Sequence, residues 1–445
     1  MIILGIETSC DETAISVIES KNGTDITVLA DKTLSQIELH KQYGGVFPTM
    51  AKREHAKNLL PLLKTVLNEA GFLKLKVKSV KLKVEEDLPT YNLKLATILE
   101  REPELLEQFL EYVPTIKKPP LDAIAVTEGP GLEPCLWTGI NLAKALSLVW
   151  DIPIVPVNHM EGHIFSSLLR RKEISNSKFL TSNEIPNSKT QISNELPKSY
   201  QLSAISYPSL ALLISGGHTE LVLIKGLHDY EIIGQTRDDA VGEAFDKVAR
   251  LLGLPYPGGP EISRLAEELR SGNDEVREDR EVKLPRPMIY SKDFDFSFSG
   301  IKTSVLYLLK RLEQKETGLS EKVGVESALS PRLQKEIALE FENAVTEVLV
   351  AKTKRALEQY GAGALLLGGG VIANTHIRRE FEKLAKEQGV TLHVPDKNLT
   401  TDNALMIAVT GLMHSSAGKN KDATGLRARG NLRLDNTHSG KEYFL

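Results

Sequence analysis

A chain of 445 residues with 41% hydrophobic and 26% charged side chains has a globular composition, and its length exceeds one ordinary core, so two lobes are expected. A formal net charge of −4 excludes an overall basic nucleic-acid coat and leaves only local basic patches for such contacts. No apolar run reaches the roughly 18 residues of a membrane helix, and the early acids Glu7, Asp11 and Glu12 break a signal-peptide pattern, so a cytoplasmic protein is expected. Cys10 and Cys135 are too far apart to form a ligand cluster, which fits a reducing compartment.

In chain order, Ile2 to Ile6 reads as a strand, Glu7 to Thr13 as a polar loop and Ala14 to Ile18 as the returning strand. A helix over Met50 to Ala70 follows. The strand Ala123 to Thr127 then feeds Gly129-Pro130-Gly131 and a helix from Trp137 to Trp150. Residues 209–224 repeat the opening plan, with a strand Leu210 to Ile214, the turn Ser215-Gly216-Gly217-His218-Thr219 and a return over Leu221 to Ile224. An amphipathic helix over Asp238 to Leu252 places Val241, Ala244, Phe245, Val248 and Leu252 on one face. Beyond it come a helix near Gln334 to Gln359, the strand Ala364 to Leu367, the turn Gly368-Gly369-Gly370, a helix over Thr375 to Gln388, the strand Val390 to Val394 and the helix Ala404 to Leu412. Strands and helices mix throughout, so the class is α/β.

Three segments read as insertions. Residues 73–118 begin lysine-rich and continue as a charged helical stretch; 172–205 are rich in Ser, Asn and Lys, a composition with too little apolar surface to order itself; 270–284 form a short charged loop. The end from Ser415 is polar, Gly-rich and basic around Arg427, Arg429 and Arg433, read as a solvated face. The expected division is an N-terminal lobe over 1–155, a C-terminal lobe over 156–400, and a terminal helix with polar tail over 401–445.

The residues carrying chemistry start with His159 and His163 in His-Met-Glu-Gly-His. Two imidazoles four apart project from one helix face, as two ligands of zinc or iron do, and as two exposed helix histidines also do. A zinc peptidase would need Glu directly after the first His. Met160 stands there, and Glu161 lies about 200° around the helix, off the metal side. Asp402, directly before an apolar helix, reads locally as an N-cap and is also the best third ligand. The turns at Ser215-Gly216-Gly217 and Gly368-Gly369-Gly370 present backbone N–H groups suited to phosphate. Asp239, Glu243 and Asp246 share a helix stripe, either a solvated face or, at Asp246, a ribose acceptor. Gly368-x-Gly370-x-x-Ala373 also fits a dinucleotide fingerprint, but fewer than fifty residues after Asp396 are too few for that domain.

Seven motifs, in order, resemble one family. They are Ile6-Glu7-Thr8-Ser9-Cys10-Asp11-Glu12-Thr13, His159 to His163, Ser215 to Thr219, Gly242 to Lys247, Phe296 to Gly300, Gly369-Gly370-Val371-x-Ala373-Asn374 and Thr401-Asp402-Asn403. The chain is similar to the TsaD family, the tRNA threonylcarbamoyladenosine transferases once labelled O-sialoglycoprotein endopeptidases. The resemblance implies the two-lobed actin, Hsp70 and sugar-kinase fold, a duplicated ribonuclease H-like unit with nucleotide in the cleft. It implies transfer of threonylcarbamoyl from threonylcarbamoyl-AMP to the exocyclic amine of the adenosine 3′ of the anticodon. One iron(II) or zinc ion per subunit would be held by His159, His163 and Asp402. Leu213, Ile214, Ser215, Gly216, Gly217, Asp246, Gly259 and Asn374 would bind the adenylate, with Asp11 and Glu12 the candidate bases. A paralogous TsaB-like partner and a TsaE-like ATPase are implied beside tRNA. Two departures stand out: Gly131-Leu132-Glu133-Pro134-Cys135-Leu136-Trp137 replaces a small-residue run, and Asn158 stands where bacterial members often carry a further His. A kinase-like ATPase on the same fold is the alternative, and a metallopeptidase the more distant one.

Overall fold

β1 (Ile2–Glu7) turns into β2 (Glu12–Ser20), antiparallel with Ile3 opposite Ile18 and Ile6 opposite Ile15, and β3 (Asp25–Ser35) completes a meander. The computed structural model describes residues 1–73, 88–172, 198–272, 282–317, 329–418 and 425–436. Helices α1 (Ile37–Lys41), α2 (Pro48–Glu69), α3 (Leu88–Ile98) and α4 (Pro103–Tyr112) precede β4 (Ala123–Gly129), which lies parallel to β1. The crossover α5 (Glu133–Trp150) leads to β5 (Ile154–Asn158), parallel to β4. β4 and β5 are buried at every position, as expected of parallel strands covered on both faces. After α6 (His159–Leu168), the short strands β6 (Leu169–Arg171) and β7 (Ser199–Leu202) extend the far edge, giving the order β5-β4-β1-β2-β3-β7-β6.

The second sheet follows the same plan. β8 (Ser209–Ile214), β9 (Thr219–Gly226) and β10 (Asp229–Gln235) form an antiparallel meander. Helices α7 (Val241–Leu251), α8 (Gly258–Ser271), α9 (Ser299–Thr317) and α10 (Pro331–Tyr360) follow. β11 (Ala364–Gly368) then pairs parallel to β8, α11 (Thr375–Gln388) crosses over, and β12 (Thr391–His393) pairs parallel to β11. The order β12-β11-β8-β9-β10 matches β5-β4-β1-β2-β3 strand for strand and direction for direction. This is the duplicated ribonuclease H-like unit of the actin, Hsp70 and sugar-kinase fold, and the repeated hairpin was its visible trace in the sequence.

The last helix, α12 (Ala404–Ser416), returns to the first sheet and packs on β1 so closely that a Cβ on Gly5 would lie 2.4 Å from the Ala404 carbonyl oxygen. Between the sheets, Met160 and Ile164 of α6 and Met406 and Ile407 of α12 share one core with Ala211, Leu213 and Leu366 of the second sheet. The two lobes are therefore joined by a buried layer made of α6 and α12.

Several expectations are corrected. The first sheet runs past the expected boundary at 155/156, and the terminal helix belongs to that lobe. Within 172–205, Ser199–Leu202 is a strand because Tyr200 buries its ring and pairs with both β3 and β6; 173–197 lie outside the described residues. The stretch 73–118 is helical as read, but Leu95, Leu105 and Phe109 enter the first-lobe core, and 74–87 lie outside the described residues. Of 270–284, Arg270 and Ser271 end α8, and Val282 and Leu284 are buried; 273–281 lie outside the described residues. In the basic tail Arg427 and Arg429 are exposed as read, but the segment is also anchored: Leu426 and Leu434 are buried and the Arg429 N–H donates to the Glu128 carbonyl; 419–424 and 437–445 lie outside the described residues. No helix among the described residues is long and apolar enough to cross a membrane.

Candidate metal centre and nucleotide cleft

α6 starts where β5 ends. Asn158 caps it, its side-chain oxygen accepting from the Met160 N–H (2.9 Å) and the Glu161 N–H (3.3 Å), so the Asn at this place has a local role in starting the helix. The helix carries His159 and His163 on one face, rings edge to face with centroids 4.9 Å apart. Asp402 meets them from the loop before α12: its Oδ1 lies 3.3 Å from Nε2 of His159 and 3.2 Å from Nε2 of His163. Asp402 is not the cap of α12. Asn403 is, accepting from the Met406 N–H at 2.9 Å, which leaves the Asp402 carboxylate to the cluster.

These separations test whether an ion fits. Ligands bound at about 2.0–2.1 Å in a tetrahedral site stand about 3.3 Å apart, the spacing seen here. Nε2 of His163 is buried and has no hydrogen-bond partner, an orphan a cation would satisfy. Glu7, itself fully buried, settles the other ring: its Oε2 faces Nδ1 of His159 at 3.1 Å and accepts from the Thr127 hydroxyl at 2.6 Å. A carboxylate only accepts, so Nδ1 carries the hydrogen and Nε2 presents its lone pair toward Asp402, the outer-shell arrangement common at metal-binding histidines. The residues fit the ion. Without one, burial opposes charge on His159, but Asp402 and Glu7 outweigh it and hold its pKa well above the usual histidine value. Asp402 is correspondingly held far below the carboxylate range, its burial outweighed by the two histidines.

The β1–β2 loop faces this cluster. Burial first, then the charges of Asp11 and Asp402, push Glu12 well above the ordinary carboxyl value. The loop is braced from behind by His55 of α2, whose ring takes the Thr13 hydroxyl at Nδ1 (2.7 Å) and meets the Cys10 carbonyl at Nε2 (3.0 Å). Neither Glu7 nor His55 stood out in the sequence as a support. His218 was legible only as part of a turn. It senses His159 and His163, and its pKa is lowered to about 4, chiefly by burial and then by those two rings.

Across the same turn lies a cleft of about 490 Å³ whose lining includes Gly216, Gly242, Asp246, Tyr256, Gly259, Gly370, Val371 and Asn374. Glycine is needed where backbones meet: a Cβ on Gly242 would sit 2.8 Å from the Cα of Gly216, and Gly369 (φ +92°) would drive one to 2.4 Å from the Ile214 carbonyl. Gly216, Gly259 and Gly370 open into free space instead. Asp246 Oδ1 accepts from the Gly258 N–H at 2.7 Å and holds the start of α8 at the cleft wall. Asn374 caps α11 through the Ile377 N–H (2.9 Å) and donates to Glu342 at 2.6 Å. Of the expected substrate residues, Gly216, Asp246, Gly259 and Asn374 thus line the cleft. Ser215 and Gly217 shape its turn, the Ser215 hydroxyl accepting from the Gly217 and His218 N–H groups. Leu213 and Ile214 bury their side chains in β8 and offer only backbone.

Fold and site together define a two-lobed protein of the actin and sugar-kinase class, with a His-His-carboxylate cluster beside a glycine-lined cleft. Comparison with known sequences narrows this. The family model described as "TsaD: tRNA N6-adenosine threonylcarbamoyltransferase" matches residues 27–81, 99–177 and 196–409, and the chain belongs to that family. The unmatched stretches between, 82–98 and 178–195, are shorter than the insertions read from composition. Relatives named tRNA N6-adenosine threonylcarbamoyltransferase include that of Bacillus subtilis, 38% identical over 94% of this chain and 92% of its own length. Those of Nitrosospira multiformis and Persephonella marina are each 36% identical, covering 95% and 98% of this chain and 94% and 96% of their own.

Proposed function

We propose that the chain transfers threonylcarbamoyl from threonylcarbamoyl-AMP to the exocyclic amine of the adenosine 3′ of the anticodon in tRNAs reading ANN codons, releasing AMP. The observation that carries this reading is the spacing of His159, His163 and Asp402, suited to an ion, one turn away from a glycine-lined cleft. The cleft takes the adenylate: open N–H groups around Gly216 and Gly370 approach the phosphate, and Asp246 stands at the ribose. His159, His163 and Asp402 would hold an iron(II) or zinc ion, which would supply Lewis-acid stabilisation of developing negative charge. The mixed anhydride already contains its leaving group, so positioning and charge stabilisation matter more than a covalent nucleophile. Glu12, with Asp11 beside it, takes a proton from the adenosine amine as the new C–N bond forms and the phosphate oxygen leaves with its electron pair.

The setting is cytoplasmic. The partner face is the α1–α2 surface, where Tyr43 and Phe47 stand 53% exposed with ring centroids 6.2 Å apart, a seat for a TsaB-like subunit, with a TsaE-like ATPase completing the assembly. The peptidase alternative loses its base, because Glu161 is buried among His228, Tyr230 and His414 on the far side of α6, away from the His159–His163 face. Mass spectrometry of bulk tRNA from cells lacking the chain tests the reading: threonylcarbamoyladenosine should vanish and return with the wild-type gene but not with His163→Ala. Undiminished modification, or rapid magnesium-dependent ATP turnover indifferent to His159→Ala, would replace it with the kinase-like alternative.

A further inference from the structure

Midway between the two histidines, on the opposite face of α6, lies a second cluster. Glu161 is fully buried; its Oε1 accepts from the Tyr230 hydroxyl at 2.9 Å and lies 2.7 Å from Nδ1 of His228, and its Oε2 lies 2.9 Å from Nε2 of His414. These three partners come from β10, the β9–β10 turn and the last turn of α12. Two His and one Glu form a ligand set in composition. The separations, however, are those of hydrogen bonds and shorter than the roughly 3.3 Å that bound ligands keep, and a tyrosine hydroxyl shares the same oxygen. The Tyr230 hydroxyl and two imidazoles surround the carboxylate, which is what a buried charge needs, with Oε2 and Nε2 of His414 meeting as an ion pair outside hydrogen-bond alignment.

The placement matters more than the pairing. α12 supplies His414 at one end, and Asp402 immediately precedes its other end, twelve residues away or about 18 Å along the helix. Between them α12 presses on α6, where a Cβ on Gly162 would come within 3.2 Å of both Met406 and Ile407. α6 is gripped on its metal face by Asp402 and on its reverse face by His414. We infer that Glu161 is a positioning residue, fixing through His228, Tyr230 and His414 the rotation of α6 at which both Nε2 atoms converge with Asp402. A rotation of only 10° would move a side-chain tip about 5–6 Å from the axis by about 1 Å. The tolerance of metal–ligand distances is about 0.2 Å, so the rotation must be held.

The inference rests on the metal reading of His159, His163 and Asp402, and the test separates the two. Zinc affinity of the full chain, stripped of metal and titrated against a chromogenic chelator, should fall about 10- to 100-fold in Glu161→Gln and His414→Gln, the cost usual for loss of outer-shell support. Tyr230→Phe, which removes one hydrogen bond and keeps the ring, should show a smaller loss and serves if the first two variants do not fold. The visible absorption of the cobalt(II)-loaded protein should shift in the same variants, since it reports ligand geometry. Variants that lose thermal stability yet bind zinc like the wild type, with an unchanged cobalt spectrum, would make Glu161 merely structural and overturn the inference. So would two zinc ions per wild-type chain with one lost in Glu161→Gln, which would make the cluster a metal site. A wild-type chain that binds no zinc removes the metal reading and the inference with it.

Discussion

Nδ1 of His159 lies 3.1 Å from Oε2 of Glu7, residues 152 apart in sequence and brought together because β5 lies one strand removed from β1. Glu7 is thereby the residue that decides which nitrogen of His159 faces Asp402. Glu7→Gln should keep the fold, since an amide can still meet Thr127 and the Ser9 N–H, but should weaken zinc or iron(II) binding about 10- to 100-fold. Metal titration checks this, and wild-type affinity in the variant would show that Glu7 serves the fold alone.

His159→Ala, His163→Ala and Asp402→Ala should each abolish stoichiometric metal. A site reduced to two protein ligands competes poorly with water and buffer. Elemental analysis of the purified variants gives the answer directly, and one ion per chain in His163→Ala would contradict the ligand assignment.

In the cleft, Gly216→Val and Asp246→Ala should act differently. A Cβ on Gly216 meets nothing within 4 Å, so the valine variant should retain its melting temperature while filling the space meant for ligand. Asp246→Ala removes the acceptor of the Gly258 N–H as well as the proposed ribose contact, and should lower adenylate affinity by about one to two decades, or about 1.5–3 kcal/mol. Calorimetry with a non-hydrolysable adenylate analogue measures both, and metal content should be unchanged in each.

Stability should fall in acid through His55. Burial lowers its pKa from 6.5 to about 4. The unfolded chain therefore takes up this proton before the folded one does. Its contribution is fully present above about pH 6.5 and is lost as pH falls toward 4, about 3 kcal/mol in all at 1.36 kcal/mol per unit. Urea unfolding at pH 7, 5.5 and 4.5 should show the decline, and His55→Gln should flatten that part of the profile even if it lowers stability at pH 7.

Shortening the segment between β6 and β7 should leave the metal site intact if the cut respects the hairpin. The Lys172 N–H donates to the Ser199 carbonyl at 2.8 Å, so the ends are already adjacent and a few glycines can join them after removal of 174–196. Loop closure changes by only about 0.6 kcal/mol per doubling of length. A deletion carried on to residue 205 removes β7 and the buried Tyr200, and should cost stability that thermal unfolding will register.

Much of this architecture was legible because local pattern and fold agreed. The paired hairpins, the β4–α5 unit and the helices holding Phe245 and Phe381 follow periodicity that survives into the buried faces. The histidine pair on α6 was legible for the same reason, since spacing of four on a helix fixes a shared face. Asp402 was legible as the third candidate chiefly through the resemblance: taken alone, next to Asn403, it looks like a cap, and three-dimensional placement shows that Asn403 takes that work. Glu7 and Glu161 were hidden differently. A buried carboxylate gains its meaning from partners far along the chain, and no window of sequence contains both.

The return of α12 to the first sheet also bears on synthesis. His159 and His163 leave the ribosome early, as does every strand of the first lobe, yet the carboxylate that joins them follows the whole second sheet. Lobes that fold in order of emergence would leave this one with an open seam over β1, β2 and β4 until α12 is translated. A nascent chain that has yet to reach α12 therefore holds its two imidazoles without the Asp402 carboxylate between them.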